Sequence, residues 1–540
     1  MNKLHWGVDW LVVRDCTFYG YGWVFHEERN IRDLKLKVQF GEGESQTITA
    51  SIGKPRDDTA ASFPKFPSAK YSGFTLYGSS GQKQNAFSEL FLRATLEDDS
   101  VSELPIPRDR ISNFGKSDKA GGRISRQQLV AYLKRGMFLL KKLQITNLLG
   151  NLKRYLGSRT ASFLESPEWL RSKLDTNELR HIVLVIDHGS GGGANQYQER
   201  MSAEKIDEGA TVVIFSFNIA TLTYVLMVRS KLRNERFAIP GYDFLLGLAK
   251  LIDIKEVIYN TGVTFIHPEK VPILIAELKS RYHPRLTLLV HDFFMVCPSH
   301  YLLDDMGEYC GIPDIGRCQT CLVKNQQDYS SLFQSRDIVQ WRALWGNVVE
   351  LADEVRTFSN DSLGLLQKAY PSLDLARAVV KPHTIEYLEH RTIQPTHTAG
   401  LRIGVVGRIG YHKGAKVVQE LADEIKARKL DIQIVVIGFI EAQCDQSVVR
   451  QTGSYKHENL STLIESSGVN IMLFPSIWPE TFSYVVQELI ELNLPVACFD
   501  LGAPAERLSN YAKGLILEDT AASATVNNLI AFHQRIYLTK

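Results

Sequence analysis

The stretch "VNIMLFPSIWPETFSYVVQE", residues 469–488, is an apolar run followed by a proline-bearing loop and a segment of helical pattern. Strand, loop and helix in that order are one half of a βαβ unit, whose strands are apolar throughout because both faces of a parallel sheet are covered. The loop carries Glu480, and Glu488 follows with seven residues between them, two carboxylates in a mostly apolar setting.

Outward from this stretch the pattern repeats. A βα series starts at "LRIGVVG", passes through helix "GAKVVQELADEIKARK" and strand "IQIVVIG" to the opening stretch, and goes on to "PVACFD", "GLILE" and a closing helix. A second series runs from "HIVLVID" through "ATVVIFSF" to "RLTLLVHD". Between them "VVKPHTIEYLEHRTIQPTHTAG" is polar and carries prolines, as an interdomain linker does. The expected fold class is α/β, with two Rossmann-like domains, residues 179–390 and 391–540, facing each other across a cleft.

Residues 1–120 differ. "LKLKVQF" alternates Leu34, Leu36, Val38 and Phe40 with polar residues, "GEGES" turns the chain, and "QTITASI" returns, which predicts a half-buried hairpin. Further short apolar segments between turns predict an all-β, sandwich-like accessory domain, ended by the linker "SELPIPRDRISNFGKSDKAGGR". Residues 121–178 form a helical connector. In it the 124–159 stretch sets an apolar stripe beside Lys134, Arg135, Lys141, Lys142, Lys153 and Arg154, suited to packing on a neighbouring domain or to peripheral contact with an anionic membrane.

At 540 residues several domains are expected, and 44% hydrophobic with 23% charged residues is an ordinary globular profile. A net charge of +2 argues against a nucleic-acid partner. The N-terminus lacks the pattern of a signal peptide and no apolar run reaches a spanning length, so a cytoplasmic protein is expected. Seven cysteines agree with a reducing compartment.

Ligands of such sheets bind beyond the carboxyl ends of the strands, which singles out four loops. "DHGSGGGAN" places Gly191, Gly192 and Gly193 at a strand-to-helix turn, either a tight loop or a close approach to a ligand. "VHDFFMVCP" places His291 at a strand end. "GRIGYHKG" brings Arg408 and Lys413 to a helix start, a forked and a point cation suited to a diphosphate. In the opening loop a helix beginning near Phe482 or Ser483 would aim the amides of Thr481, Phe482 and Ser483 at an anion. Glu480 and Glu488 suit hydroxyls, since a carboxylate accepts two hydrogen bonds from a vicinal diol. Cys297, Cys310, Cys318 and Cys321, spaced C-x12-C-x7-C-x2-C, suit a structural zinc, free thiols or a disulfide.

Together "GRIGYHKG", "PETFSYVVQE" and "GAPAE", with "VHDFFMVCP" and "GSGGGAN", resemble the GT-B-fold glycosyltransferases of family 4 over roughly residues 180–535. The segment after "HDFFMVCP" resembles members that build bacterial surface polysaccharides such as O-antigen or capsule. The resemblance implies retaining, metal-independent transfer of a sugar from a nucleotide-diphosphate sugar to a growing glycan or lipid-linked acceptor at the inner face of the cell membrane. It implies that Arg408 and Lys413 bind the diphosphate, Glu480 the donor sugar, Glu488 the ribose, and that His291 lies near the reacting centre. Gly191 to Gly193 would close over the phosphate and acceptor side, and Gly438, at the end of "IQIVVIG", joins the donor-binding set. Thr481 and Ser483 stand where glycines are frequent in the family. The alternatives are a nucleotide-sugar epimerase on the same fold and a non-catalytic carbohydrate-binding scaffold.

Overall fold

The computed structural model describes residues 3–41, 44–80, 87–113, 162–164, 166–189, 191–385, 392–393 and 400–538. The basic stretch expected to be helical over 124–159 lies outside the described residues.

The N-terminal domain is built from β1 (Leu4–Arg14), β2 (Thr17–His26), β3 (Ile31–Phe40), β4 (Glu44–Lys54), β5 (Gly73–Ser79), β6 (Glu89–Leu96), β7 (Val101–Pro105) and β8 (Ser112–Asn113), ordered β7-β6-β3-β4-β5-β2-β1-β8. The expected hairpin is β3 with β4, antiparallel with Lys35 opposite Thr49 and Val38 opposite Gln46. Its alternation buries Leu34, Leu36 and Val38 completely. The first half of β4 pairs with β3 and its second half with β5, so one strand turns the corner between two groups of strands that share a single core. β8 and all of β7 but Val101 lie inside the stretch read as a linker. Val101–Pro105 joins the sheet through backbone bonds to β6, which its polar composition does not advertise.

The first α/β domain contains β9 (Ser162–Phe163), β10 (Ile182–Ile186), β11 (Thr211–Asn218), β12 (Thr223–Arg229), β13 (Asn234–Ile239), β14 (Ile254–Tyr259) and β15 (Arg285–Leu289). β10 runs parallel to β11 and β14, and β14 parallel to β15, as the apolar runs predict. The sheet is nevertheless mixed. β12 pairs antiparallel with β11 and β13 antiparallel with β12, a departure from the expected all-parallel arrangement made by the short turns at 219–222 and 230–233.

Two short strands, β16 (Glu354–Thr357) and β17 (Ala378–Val380), precede the last domain. That domain has β18 (Arg402–Ile409), β19 (Gln433–Ile440), β20 (Val449–Gln451), β21 (Ile471–Phe474), β22 (Val496–Phe499) and β23 (Gly514–Leu517), parallel and ordered β20-β19-β18-β21-β22-β23. Both faces are covered. Ile434 and Val436 join Leu421, Ile425, Leu529 and Phe532 in one core, while Val435 and Ile437 join Ile464, Val486 and Leu489 in another. The crossing from strand β18 to strand β21 in the middle of this order is the topological switch point at which such sheets bind ligands.

The expected fold class is therefore borne out as a mixed α/β chain with two Rossmann-like sheets behind an antiparallel β domain. The chain packs as two compact units. One comprises Met1–Leu289, Phe294–His300 and Asp314–Val355, and the other Val290–Phe293, Tyr301–Pro313 and Arg356–Lys540. Within the first unit the β domain is fastened to the α/β domain. Trp10 Nε1 donates to the Ala220 carbonyl at 3.0 Å, Arg14 to Leu222 at 2.7 Å and the Tyr77 hydroxyl to Thr264 at 2.6 Å. Among the described residues no helix is long and apolar enough to cross a membrane.

Candidate active site

The second unit gathers most of the candidate residues. Arg408 is the penultimate residue of β18 and its side chain is 64% exposed. Its guanidinium is already engaged, with Nε 2.8 Å and Nη2 2.7 Å from Glu441 Oε1. Glu441 was not singled out in the sequence. It lies just past β19, and only the parallel pairing of β18 with β19 brings it to Arg408.

Lys413 closes a single 3-10 turn, Tyr411–Lys413, ahead of the helix Ala415–Ala427. Gly414 makes that turn fit. Its φ is +83°, and a Cβ there would lie 1.9 Å from the Pro475 carbonyl oxygen. The turn is tied to the opening loop by Ile477 N donating to the His412 carbonyl at 3.1 Å. Two loops separated by some sixty residues of sequence thereby become one surface.

Glu480 is 6% exposed, and burial pushes its carboxyl above the usual range against the opposing charge of Lys413 and hydrogen bonds from Ser476 and Ser483. Ser476 Oγ donates to Glu480 Oε1 at 3.4 Å. The Glu480 carbonyl accepts from Ala503 N at 2.8 Å, so the start of the helix Gly502–Leu508, which carries "GAPAE", holds the backbone of the "PETF" loop. The helix begins at Tyr484, slightly later than expected, because Ser483 is its N-cap and accepts from Val486 N at 3.3 Å. Thr481, Phe482 and Ser483 thus precede the helix, and all three are buried.

Glu488 is fully buried on that helix. His457 Nδ1 lies 3.4 Å from its Oε1, and this contact raises the imidazole pKa. Gly438 sits in register with Gly407 in the strand pair β18 and β19, where φ of +135° brings the two backbones close enough that a Cβ would meet Gly407 O at 2.0 Å.

His291 also belongs to the second unit. Its carbonyl accepts from Thr481 Oγ1 at 3.0 Å and its ring lies 4.5 Å from that of Phe358. Beside it stands His383, a buried residue that the polar, proline-bearing linker pattern concealed. Its Nδ1 is 3.1 Å from the Tyr484 hydroxyl.

The glycine-rich loop belongs to the first unit. Gly191 and Gly192 have φ of +83° and +97° with open space where a Cβ would be, and Gly193 starts the helix Gly193–Asp207. The loop is held from beneath. Asn195 Oδ1 accepts from Gly191 N at 2.5 Å, and its Nδ2 donates to Asp187 Oδ2 at 2.5 Å and to the His188 carbonyl at 2.7 Å. Asp187 Oδ1 accepts from Asn260 at 2.8 Å. Burial pushes the Asp187 carboxyl up to about 7 despite these donors. Asp187, Asn195 and Asn260 went unnoticed in the sequence. The signal was there in the Asp187 that ends an otherwise apolar strand.

Cys297, Cys310, Cys318 and Cys321 are the residues offered as a structural zinc site, free thiols or a disulfide. Among the described residues no three His, Cys, Asp or Glu side chains converge as a metal site. Cys318 and Cys321 share one helix, Ile315–Lys324, and each thiol has a local partner, Arg342 Nη2 at 3.7 Å and Asn325 Nδ2 at 3.6 Å. Cys310 packs with the second unit while the other three belong to the first.

Residues 389–534 match the model of the family "Glycosyl transferases group 1", so the chain is an enzyme with a glycosyltransferase domain that contains Arg408, Lys413, Gly438, Glu480 and Glu488. No curated protein matches the sequence. Among solved structures, the lipopolysaccharide outer core galactosyltransferase WaaB in its apo form is 11% identical over 66% of this chain and 91% of its own, with a TM-score of 0.42. Anabaena Alr3699/HepE in complex with UDP is 13% identical over 66% and 95%, with a TM-score of 0.38. The same protein with UDP-glucose is 15% identical over 66% and 95%, with a TM-score of 0.36.

Proposed function

We propose that this protein is a retaining glycosyltransferase of family 4 that moves a hexose or deoxyhexose from a nucleotide-diphosphate sugar to a growing glycan or lipid-linked acceptor in bacterial surface polysaccharide synthesis. The observation that carries the proposal is the fastening of the Lys413 turn to the Glu480 loop through Gly414, Pro475, His412 and Ile477, inside the segment that matches the glycosyltransferase family. A cation and a buried carboxylate held together suit the two ends of a sugar diphosphate.

In this proposal residues 391–540 hold the donor and residues 179–390 the acceptor. Lys413 and Arg408 bind the diphosphate and stabilise the charge that grows on it as the anomeric carbon–oxygen bond breaks, the largest expected catalytic term. Glu480 accepts from sugar hydroxyls, Glu488 holds the ribose, and His291 contacts the donor sugar. The new bond forms between the anomeric carbon and the acceptor oxygen, and the acceptor proton passes to the departing phosphate oxygen. Gly191 to Gly193 close over the phosphate and acceptor side. The protein works in the cytoplasm, peripherally at the inner membrane face, with residues 1–120 as accessory domain and 121–178 as connector.

The test is incubation with a panel of nucleotide-diphosphate sugars and lipid-linked acceptors, following release of nucleoside diphosphate and the anomeric configuration of the product by NMR. Transfer with retention that is lost in Lys413→Ala is expected. No turnover of any donor, or an inverted product, overturns the proposal.

A further inference from the structure

Four segments distant in sequence meet at His383. Its ring centroid is 4.1 Å from Phe358, 4.5 Å from Phe482, 5.2 Å from Tyr484 and 5.5 Å from His291. Phe358 lies against His291 as well, at 4.5 Å with an interplanar angle of 25°. On the other side Thr481 Oγ1 donates to the His291 carbonyl. The ring of His383 therefore touches His291 and the turn that carries Glu480 into its helix, while Thr481 closes the same loop of contacts through the backbone. All of these residues belong to the second unit.

A phenylalanine or leucine would fill a cage made of Phe358 and Phe482 at least as well. An imidazole buried among such rings is favourable only when its nitrogens are hydrogen-bonded. Here Nδ1 meets the Tyr484 hydroxyl at 3.1 Å, and this bond fixes the rotation of the ring about its side-chain axis, which packing alone leaves to a broad, roughly two-fold torsion. Tyr484 is the first residue of the helix that holds Glu488.

We infer that His383 is a positioning residue of the transfer site: hydrogen-bonded to Tyr484, it aligns the His291 ring with the Thr481–Tyr484 turn before the donor arrives. The inference rests on the glycosyltransferase proposal above. It assigns His383 no contact with substrate. Misplacement of a reacting centre by about an ångström is enough to slow turnover by about a hundredfold, so loosening His383 affects kcat more than donor affinity.

The experiment compares wild type with His383→Phe, Tyr484→Phe and the double variant, measuring kcat, donor KM and melting temperature. Each single variant is expected to lower kcat about tenfold with donor KM within threefold. The double variant is expected to match the singles, because both break one interaction. Equal kcat in wild type and His383→Phe, or effects that multiply in the double variant, overturns the inference. An inactive wild type would instead refute the proposed reaction. The coupling is therefore also read without activity, from the ring signals of His291 in long-range proton–nitrogen NMR spectra of histidine-labelled protein. Displacement of those signals in Tyr484→Phe supports the inference, and unchanged signals overturn it.

Discussion

Arg408 reaches a single oxygen of Glu441 with two of its nitrogens, Nε at 2.8 Å and Nη2 at 2.7 Å. The arginine is 64% exposed and the glutamate 13%, so the carboxylate is the fixed partner and the guanidinium the movable one. An exposed ion pair is worth about 0.2–1 kcal/mol, little enough for a diphosphate to displace. Glu441→Gln releases Arg408 and is expected to tighten nucleoside diphosphate binding by about two- to fivefold in calorimetric titration. Unchanged or weaker binding would show that Glu441 aims Arg408 rather than competing for it.

Glu480 presents the opposite balance. Its folded pKa is raised by burial, so the folded state holds this proton more tightly than the unfolded chain does. Its contribution to stability is then complete below the unfolded carboxyl pKa and is lost as pH rises through the folded value. Glu480→Gln is expected to raise the melting temperature at pH 7 relative to wild type, with the difference shrinking as pH falls toward 4, while sugar transfer drops by about a hundredfold or more. A variant that melts lower at pH 7 by calorimetry would mean that the attraction of the Lys413 charge outweighs the burial.

Gly414 and Gly192 both have positive φ but differ in surroundings. A Cβ on Gly414 collides with the Pro475 carbonyl, whereas one on Gly192 meets nothing within 4 Å. Gly192→Ala carries only the backbone penalty, about 1–3 kcal/mol for a φ of +97° with a ψ of −171°. Gly414→Ala adds the displacement of the Lys413 turn and is expected to cost about 3 kcal/mol or more, with loss of nucleotide binding. Urea denaturation of the two variants gives the comparison, and equal losses would contradict the tight seat of the turn.

Asp187, whose carboxyl is pushed up to about 7, supplies a second pH dependence. The sign is again that of a raised carboxyl: stability is complete below an unfolded pKa of about 4 and is lost as pH rises through about 7. Asp187→Asn removes that titration but sets an amide against the donating groups of Asn195 and Asn260, a loss of about 1 kcal/mol. The variant is expected to be the less stable protein at pH 4 and to gain on wild type between pH 5 and 8. Parallel stability curves would remove Asp187 from this role.

Much of this molecule is legible in one dimension. Continuous apolar runs such as "IVLVI" and "IMLF" can be buried only by a sheet covered on both faces, and the alternation of Leu34, Leu36 and Val38 only by one covered on a single face. Glycines and cations at the ends of those runs point to the loops proposed to hold a ligand. The reversed direction of β12 was less visible because "TYVLMVR" is about as apolar as the β11 strand it pairs with, and direction is a property of pairing rather than of composition.

By itself the sequence determined the classes of element, their order and the motif residues Arg408, Lys413, Glu480 and Glu488, since these follow from local periodicity and from which residues end each strand. Tertiary structure alone decided the partners. Glu441 on Arg408, Pro475 against Gly414, Asn195 beneath Gly191 and His383 between His291 and Tyr484 are long-range or loop contacts, made when strands pair and loops close. Such contacts leave no periodic trace in a chain, because the free energy of a buried hydrogen bond or a close backbone approach depends on what stands opposite it.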